Sequence, residues 1–265
     1  MKPGVPTFYI VVPSFNQGQY LTENLKSILA DTSVRVKCIV KDGGSTDQTP
    51  RVLKKFSSRI VATSKPDKGQ TDALNQGVKE VLKLSKNPGQ DIFAYLNSDD
   101  YYLEGTFQKV AQEFAKHPEK KWLVGDCLIV NQMGKQIQNA IKNYKNFWRH
   151  LLFFKLLLVL NPIPQPAVFM RVSALHEVGL FDENLHYTMD YEYWLRCWQR
   201  IGKPLVVTQA LAAFRIHGQS KGTTAFEKQF AEQLRVAQKF TQNPAWLFLQ
   251  KLHNGVIILA YRGLK

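Results

Sequence analysis

Residues 92–100 have the sequence IFAYLNSDD, in which five apolar residues are followed at once by four polar ones. Such an apolar run predicts a buried strand whose C-terminal end opens into a site. The adjacent carboxylates of Asp99 and Asp100 repel each other unless a cation lies between them. In open α/β sheets, ligands bind at this edge. The alternative is a turn, or the N-cap of a helix over 101–114, because Asp suits both positions.

Length and composition are those of an ordinary globular protein. The 265 residues are 45 % hydrophobic and 21 % charged, enough for one large domain or one domain with an appendage. No apolar run has the length of a bilayer span, and residues 8–12 are too few for a signal sequence. Cys38 and Cys127 lie in apolar runs, which indicates reduced core thiols and a cytoplasmic setting.

The first hundred residues alternate between strand-like and helical patterns. This rhythm predicts a mostly parallel sheet flanked by helices. The predicted strands are 8–12, 36–40, 59–63 and 92–96, and the predicted helices are 20–30, 48–56 and 70–84. Because parallel strands align their carboxyl ends, the polar loops after them should share one edge with Asp99 and Asp100. The glycine patterns of a dinucleotide-binding fold and of a P-loop are both missing.

The second half has a different pattern, with predicted strands at 122–130, 167–170 and 206–214 and predicted helices at 190–201 and 224–240. No linker composition separates it from the first half. We therefore expect one continuous domain over 1–220, with a nucleotide-binding half of about 1–120 and a smaller mixed acceptor-side half of about 121–220. Residues 221–265 would form a C-terminal helical appendage.

Seven sequence blocks occur in the order that is found in family 2 glycosyltransferases, which the chain resembles from about residue 7 to about residue 220. The blocks are VVPSFN (11–16), DGGSTD (42–47), DKGQTDALNQG (67–77), LNSDD (96–100), FDE (181–183), MDYEYWLR (189–196) and FRIH (214–217). The resemblance implies a GT-A fold and an inverting enzyme. It also implies a nucleotide-diphosphate sugar as donor, with UDP expected, and a glycan or lipid-linked acceptor in polysaccharide or cell-envelope synthesis.

The same resemblance implies a set of nucleotide-binding residues. Pro13, Phe15 and Asn16 would pack against the base, Asp42 would accept from the base or ribose, and Asp67, Gly69, Asp72 and Asn75 would form a nucleotide-side loop and helix start. Many relatives carry a second Asp where this chain has Gly43, and an arginine where it has Leu74. A turn with a helix N-cap is the alternative for 42–47, and we prefer it for Asp47 alone.

Asp99 and Asp100 match the acidic D-x-D region of the family, whose first acidic position is Asn97 here. The match implies that Asp100 binds a divalent metal and that Asp99 bridges ribose and metal. Mg²⁺ or Mn²⁺ would neutralise the charge that develops on the diphosphate leaving group. His217 matches a late residue that reaches back to the metal, although a lone histidine is more often structural. An imidazole ligand is compatible with Mn²⁺.

Asp190 is the expected catalytic base. Displacement at the anomeric carbon needs one carboxylate to take the proton of the acceptor hydroxyl. Asp190 opens a helical run whose apolar face would hold it against the core. The alternative is that Asp190 only favours the helix dipole. Glu192 is the weaker candidate, and we expect Tyr191 and Trp194 to be core residues.

Residues 150–160 have nine apolar residues in eleven. They could form a buried helix, an acceptor-side flap, or an interfacial segment on acidic lipid. The third possibility is favoured by the absence of Asp and Glu from 127–176, and by a tail over 219–265 with seven Lys and Arg against two Glu. Contact with the inner face of the cytoplasmic membrane would suit a lipid-linked acceptor.

Three function classes fit the formal net charge of +14, which favours an anionic partner. A nucleic-acid-binding module would account for the charge alone, but no known recognition motif is visible. A sugar nucleotidyltransferase would share the sheet and the metal, but would open with a glycine-rich basic loop where this chain has PSFN. The sequence therefore predicts a metal-dependent glycosyltransferase with no nucleic-acid partner.

Overall fold

The computed structural model of the chain describes residues 5–137, 139–218 and 226–263. The strands are β1 (Thr7–Ser14), β2 (Arg35–Asp42), β3 (Ile60–Ser64), β4 (Ile92–Tyr95), β5 (Tyr101–Tyr102), β6 (Trp122–Asn131), β7 (Val168–Arg171) and β8 (Leu205–Ile216). The helices are α1 (Gly18–Leu29), α2 (Thr49–Phe56), α3 (Gln70–Leu84), α4 (Thr106–Lys116), α5 (Asn139–His150), α6 (Phe154–Val159), α7 (Val172–Val178), α8 (Met189–Ile201), α9 (Phe226–Phe240) and α10 (Pro244–Gly263). A 3₁₀ turn spans Gln165–Ala167.

The strands form a single mixed sheet in the order β3-β2-β1-β4-β7-β6-β8-β5. The first four strands of the chain are parallel, and their register puts Ser14 beside Asp42 and Asp42 beside Ser64. The carboxyl ends of β1, β2 and β3 therefore lie at one level. The predicted α/β class and the parallel nucleotide-side sheet are both present.

Side chains of β1 alternate between two cores, one on each face of the sheet. Tyr9 and Val11 pack with α3, α7 and α8, whereas Phe8, Ile10 and Val12 pack with α1, α2 and α4. This alternation is the period-two pattern of a strand that is buried on both faces. It explains why the run is apolar without interruption.

The second half joins the sheet through antiparallel strands. β7 pairs antiparallel with β4 and β6, β6 pairs parallel with β8, and the short β5 pairs antiparallel with β8. The β5–β8 pairing matters for the site, because it brings the acidic loop before Tyr101 to the residues after β8.

The predicted strands and helices are present, with boundaries that differ by a few residues. β1 is longer than expected and includes Pro13, which is buried inside the strand and does not lie in a loop. Because β4 pairs with β1 only as far as Val11, proline at residue 13 costs no bond to that neighbour. The alternative helix over 101–114 is wrong, since β5 comes first and α4 begins at Thr106 with Gly105 as its N-cap.

The apolar segment 150–160 contributes to the core. Its buried side chains are Leu152, Leu156, Leu157, Leu158 and Leu160, whereas Leu151 and Phe153 are exposed. Of the three alternatives left open by the sequence, the buried helix fits best, because most of the leucines contact the protein interior. In the parts of the chain that the structure describes, no helix combines the length and apolarity needed to cross a membrane. The expected boundary at 220/221 lies outside the described residues.

Candidate active site

The loops after β1 and β2 are tied together at the carboxyl edge of the sheet. The backbone N–H of Asn16 donates to Ser45 Oγ at 2.7 Å, and Asn16 Oδ1 accepts from the N–H of Thr46 at 2.9 Å. Asn16 has a φ of 51°, a left-handed conformation that asparagine tolerates better than most residues. Beside it, Phe15 is 60 % exposed, so its ring faces solvent at the rim.

Asp42 ends β2 and is buried. Its carboxylate accepts hydrogen bonds from the N–H and hydroxyl of Ser45 and from the hydroxyl of Ser64. These bonds order the turn between β2 and α2. The expected contact of Asp42 with a base or ribose stays a prediction. Asp47 has the expected local role, since it accepts from the backbone N–H groups of Gly18 and Thr49.

Gly43 allows Phe15 and Asp67 to approach each other. A Cβ at residue 43 would lie 2.9 Å from Asp67 Oδ2 and 3.2 Å from Phe15 Cδ2. Real Cβ contacts are longer than the first of these distances, so a side chain here would displace its neighbours. Because glycine has no side chain, residue 43 leaves room for Phe15 and Asp67 to lie close together at the rim.

Residues at the start of α3 border a cleft. Asp67 Oδ1 accepts from the N–H of Gly69 at 2.7 Å, and Asp72 Oδ2 accepts from the N–H of Lys68 at 3.0 Å. The bond from Lys68 holds the pKa of Asp72 below its usual value. Gly69 has a φ of 113°, which favours glycine. The cleft has a volume of about 320 Å³ and is lined by residues 68–72 and 183–186.

Asn75 is buried, and both the oxygen and the nitrogen of its side-chain amide form hydrogen bonds within the protein. It accepts from the N–H of Phe181 at 2.9 Å and donates to the Phe181 carbonyl at 3.0 Å and to Glu183 Oε1 at 3.1 Å. In this conformation Asn75 anchors the 181–183 loop to α3 and contributes to the nucleotide-side cleft only indirectly.

Asp100 is buried in the acidic loop between β4 and β5. Its Oδ1 accepts from the N–H of Arg215 at 2.8 Å, whereas Oδ2 is buried with no hydrogen-bond partner among the described residues. Burial and the charge of Asp99 raise the pKa of Asp100 well above its ordinary value. An unpartnered carboxylate oxygen next to a second carboxylate is the electrostatic setting that a cation relieves.

His217 lies against Asp99, and its expected role as a metal ligand stays a prediction. Its Nε2 is 2.9 Å from Asp99 Oδ2, and the imidazole is buried next to the Tyr20 ring. A cleft of about 500 Å³ opens here, lined by Gln19, Tyr20, Glu23, Gln132, Met133, Arg215, His217 and Gly218. The carboxylates and the imidazole are suitable ligands for Mn²⁺ or Mg²⁺. In the described part of the chain, however, no three such groups are arranged around a common point.

Arg215 organises this region, a role that its charge in the sequence did not reveal. Its guanidinium donates to the carbonyls of Asp99 at 2.9 Å and Gln132 at 2.9 Å, and it forms an ion pair with Glu23. The guanidinium also lies 5.1 Å from the centre of the Tyr20 ring. Arg215 is buried, so its positive charge partly offsets the two adjacent carboxylates.

Asp190 lies in the first turn of α8. The phenol of Tyr95 is buried, and burial together with the charges of Asp190 and Asp100 raises the pKa of Tyr95 well above its usual range. Burial also raises the pKa of Asp190, while the charge of Lys145 in α5 acts in the opposite direction. A carboxylate with a raised pKa is a stronger proton acceptor when it is ionised.

The neighbours of Asp190 on α8 are structural. Tyr191 and Trp194 are buried in the core, as expected. Glu192 is also buried and forms a two-point ion pair with Arg196, at 2.9 and 2.6 Å. Glu192 is thereby engaged in holding α8, and the expected role of Asp190 as the base stays a prediction.

Glu232 of α9 holds the turn that precedes Asp190. Its carboxylate is buried and accepts from the backbone N–H groups of His186, Tyr187 and Thr188, and from the Thr188 hydroxyl, at 2.8 to 3.2 Å. Burial alone would raise the pKa of Glu232, but these bonds hold it below its ordinary value. No sequence motif indicated this residue, because it lies in the C-terminal helices beyond the recognised blocks.

The chain matches the glycosyl transferase family 2 profile over residues 9–179. The protein is a family 2 glycosyltransferase. The match covers the rim loops and the acidic loop, so the predicted resemblance to the family is confirmed. The blocks at 181–183, 189–196 and 214–217 lie beyond the matched residues.

Sequence relatives of this glycosyltransferase include an uncharacterized glycosyltransferase of Rickettsia prowazekii, which is 26 % identical over 225 residues. That alignment covers 84 % of this chain and 68 % of the relative. A PGL/p-HBAD biosynthesis glycosyltransferase of Mycobacterium bovis is 24 % identical over 243 residues, covering 88 % of this chain and 86 % of the relative. The chain spans only 31 % of a related Rickettsia conorii glycosyltransferase.

Solved glycosyltransferases share the fold. The 1–349 fragment of TarS from S. aureus, in complex with UDP-GlcNAc, has a TM-score of 0.65 at 18 % identity and is matched over 87 % of this chain and 65 % of that one. The mannosyltransferase PcManGT of Pyrobaculum calidifontis, in complex with GDP-Man and Mn²⁺, has a TM-score of 0.65 at 12 % identity, over 97 % of this chain and 79 % of that one. The GT-A fold predicted for the glycosyltransferase is confirmed.

Proposed function

We propose that this glycosyltransferase transfers a sugar from a nucleotide-diphosphate sugar to a hydroxyl acceptor, with inversion at the anomeric carbon. The observation that carries the proposal is the acidic loop after β4, where Asp100 Oδ2 is buried with no partner among the described residues and His217 Nε2 lies 2.9 Å from Asp99 Oδ2. We assign Asp100 to the leaving-group side and Asp190 to the acceptor side. Transfer needs these two functions on opposite sides of one reacting carbon.

The donor would occupy the rim formed by the loops after β1, β2 and β3. Phe15 offers an exposed ring for stacking against a base, and Asn16 and Asp42 fix the loops around it. Gly69 and Asp72 line the adjacent cleft, with Asp67 at its border. UDP is the nucleotide that we propose, which agrees with the UDP-GlcNAc in the TarS complex. Pro13 and Asn75 support this site from buried positions.

Asp100 and His217 would hold a divalent metal, Mn²⁺ or Mg²⁺, with Asp99 between the metal and the ribose. The unpartnered Asp100 Oδ2 and the oxygen and nitrogen donor set support this assignment. Mn²⁺ is also present in the PcManGT complex. When bound, the metal supplies positive charge that stabilises a departing nucleoside diphosphate.

Asp190 would act as the base. Its ionised carboxylate takes the proton of the acceptor hydroxyl while that oxygen attacks the anomeric carbon from the face opposite the diphosphate. Glu232 fixes the backbone just before Asp190, so the carboxylate is held at the N-terminus of α8. One base and no carboxylate nucleophile require a single displacement, and a single displacement inverts the configuration.

The acceptor that we propose is a glycan or a lipid-linked hydroxyl in polysaccharide or cell-envelope synthesis, handled at the inner face of the cytoplasmic membrane. The mycobacterial relative is named for PGL/p-HBAD biosynthesis, which supports an envelope role. The net charge of +14 would favour an anionic surface.

A donor panel tests the proposal. UDP-, GDP- and dTDP-sugars are incubated with the protein and Mn²⁺, and release of the nucleoside diphosphate is measured with and without candidate acceptors. We expect release from UDP-sugars that stops when the metal is chelated. Release of a nucleoside monophosphate or of pyrophosphate would instead indicate a nucleotidyltransferase, and would contradict the proposal.

A further inference from the structure

Helix α10 has its polar and apolar faces reversed relative to an ordinary surface helix. Gln250 and Asn254 face inward and are buried, and Gln250 Nε2 donates to Tyr191 Oη at 3.3 Å. The outward face instead carries large apolar side chains that are 56 to 68 % exposed: Phe248, Leu252, Val256 and Leu259. Their spacing puts all four on one side of the helix. An apolar face that points outward needs a partner that covers it.

The α5–α6 region extends this apolar face. Phe147, Leu151 and Phe153 are also about half exposed, and they lie in α5 and in the connection to α6. Two contacts join the region to α10. Tyr144 Oη lies 2.9 Å from His253 Nε2, and Lys155 Nζ lies 5.7 Å from the centre of the Trp246 ring. We call the combined set the α10 surface: Phe147, Leu151, Phe153, Phe248, Leu252, Val256 and Leu259.

The segments that build the α10 surface carry basic residues and no acidic ones. The two segments, 139–160 and 244–263, contain no Asp or Glu, but four and two Lys or Arg, respectively. One of these cations, Arg149, is buried in an ion pair with Asp126, so the others supply the basic flank. An apolar face with basic flanks matches a bilayer that contains acidic lipid, because the apolar side chains enter the acyl boundary while the cations meet the headgroups. Two copies of the chain joined through this surface would bring like charges together, which disfavours a dimer.

We propose that the α10 surface docks the enzyme on an anionic lipid bilayer. The contact is peripheral, with the axis of α10 along the membrane plane and its four outward apolar side chains below the headgroups. The role of docking rests on the proposed function, because docking would bring the active site to a lipid-linked acceptor. It differs from the interfacial segment that was one alternative for 150–160, because the buried leucines of α6 take no part.

Vesicle sedimentation tests the docking, with vesicles of phosphatidylglycerol compared with vesicles of phosphatidylcholine. The test variant is the double substitution Leu252→Glu with Val256→Glu, at two exposed positions of α10. The matched control is Val5→Glu with Val61→Glu, which adds the same charge at exposed valines outside the α10 surface. We expect the wild-type protein and the control to bind phosphatidylglycerol vesicles, with binding reduced by high salt. The test variant should bind at least about tenfold more weakly, with an unchanged melting curve.

Three results would overturn the inference. These are equal binding to neutral vesicles, wild-type binding by the test variant, and a wild-type dimer in sedimentation velocity that the test variant converts to monomers. Thermal shift with UDP and Mn²⁺ is measured on the same preparations. A protein that docks on vesicles but binds no nucleotide would contradict the proposed function alone, and one that binds UDP but no vesicles would contradict the docking alone.

Discussion

Asp100 Oδ1 accepts a hydrogen bond of 2.8 Å from the backbone N–H of Arg215, which lies 115 positions later in the chain. The bond exists because β5 pairs antiparallel with the end of β8. The same pairing brings His217 against Asp99. The candidate metal-binding residues are therefore assembled by sheet topology, and they do not form a local motif.

Asp100→Ala is expected to abolish metal-dependent nucleotide binding while the fold remains. The substitution removes the buried oxygen that has no protein partner, together with one of two adjacent negative charges. Isothermal titration of UDP with and without Mn²⁺ measures the effect. His217→Ala should weaken the metal dependence less, because imidazole contributes no charge. An Asp100→Ala protein whose UDP affinity still rises with Mn²⁺ would exclude Asp100 as a ligand.

Arg215→Met is expected to destabilise the protein by about 2–3 kcal/mol, the range for losing charged hydrogen bonds to buried carbonyls. The guanidinium bonds to the carbonyls of Asp99 and Gln132 are both lost. Its ion pair with Glu23 adds little to this figure, because Glu23 is half exposed. Urea unfolding measures the change in the free energy of unfolding, and Lys26→Met provides a control on the exposed end of α1. If Arg215→Met lost no more unfolding free energy than the control, Arg215 would be dispensable for the stability of the acidic loop.

Glu232→Gln is expected to shift the pH profile of kcat to lower pH. Ionised Asp190 is the active form, so activity falls as the pH drops through its raised pKa. Burial and the charge of Glu232 raise that pKa, and Lys145 lowers it. Removing the charge of Glu232 therefore lowers the pKa of Asp190 and moves the acidic limb of the kcat profile to lower pH. The substitution leaves Tyr95 unchanged.

Glu232→Ala should in addition lower kcat by about tenfold or more, because the N–H groups before Asp190 lose their acceptor and the base is misplaced. The donor affinity should stay near that of the wild-type enzyme. If both variants lowered only the melting temperature and left the pH profile and kcat unchanged, Glu232 would be structural and would not position Asp190.

Leu152→Ser and Phe153→Ser are expected to differ sharply although the residues are adjacent. Leu152 is 1 % exposed, whereas Phe153 is 49 % exposed. Removing the buried leucine should cost about 2–5 kcal/mol of unfolding free energy, and removing the exposed phenylalanine less than about 1 kcal/mol. Chemical denaturation checks both values. Equal losses would contradict the assignment of the 150–160 segment to the core.

Much of the fold could be predicted from the sequence because its signals are local. The uninterrupted apolar runs of β1, β2 and β4 indicate buried parallel strands, and the polar residues after them mark the carboxyl edge. The end of β1 was predicted too early, since Pro13 is tolerated where β4 no longer pairs. The leucines of 150–160 could not be assigned, because an apolar run looks the same whether protein or lipid covers it.

The site was predicted less completely, because several of its contacts join distant parts of the chain. The motif blocks identified the residues, but not that Asn75 is occupied by the 181–183 loop or that Asp42 is bonded to Ser45 and Ser64. Arg215 and Glu232 could not be recognised, since a charged residue is usually exposed and nothing local indicates that these two are buried. The nucleotide, metal and catalytic contacts stay predictions.

The turnover of Asp190→Asn tests the central claim most directly. Asparagine keeps the size of the side chain but cannot accept the proton of the acceptor hydroxyl. We predict that kcat falls by about 10²–10⁴-fold, the usual contribution of a general base, while the affinity for UDP in the presence of Mn²⁺ stays close to the wild-type value. A folded Asp190→Asn enzyme with wild-type kcat would contradict the account.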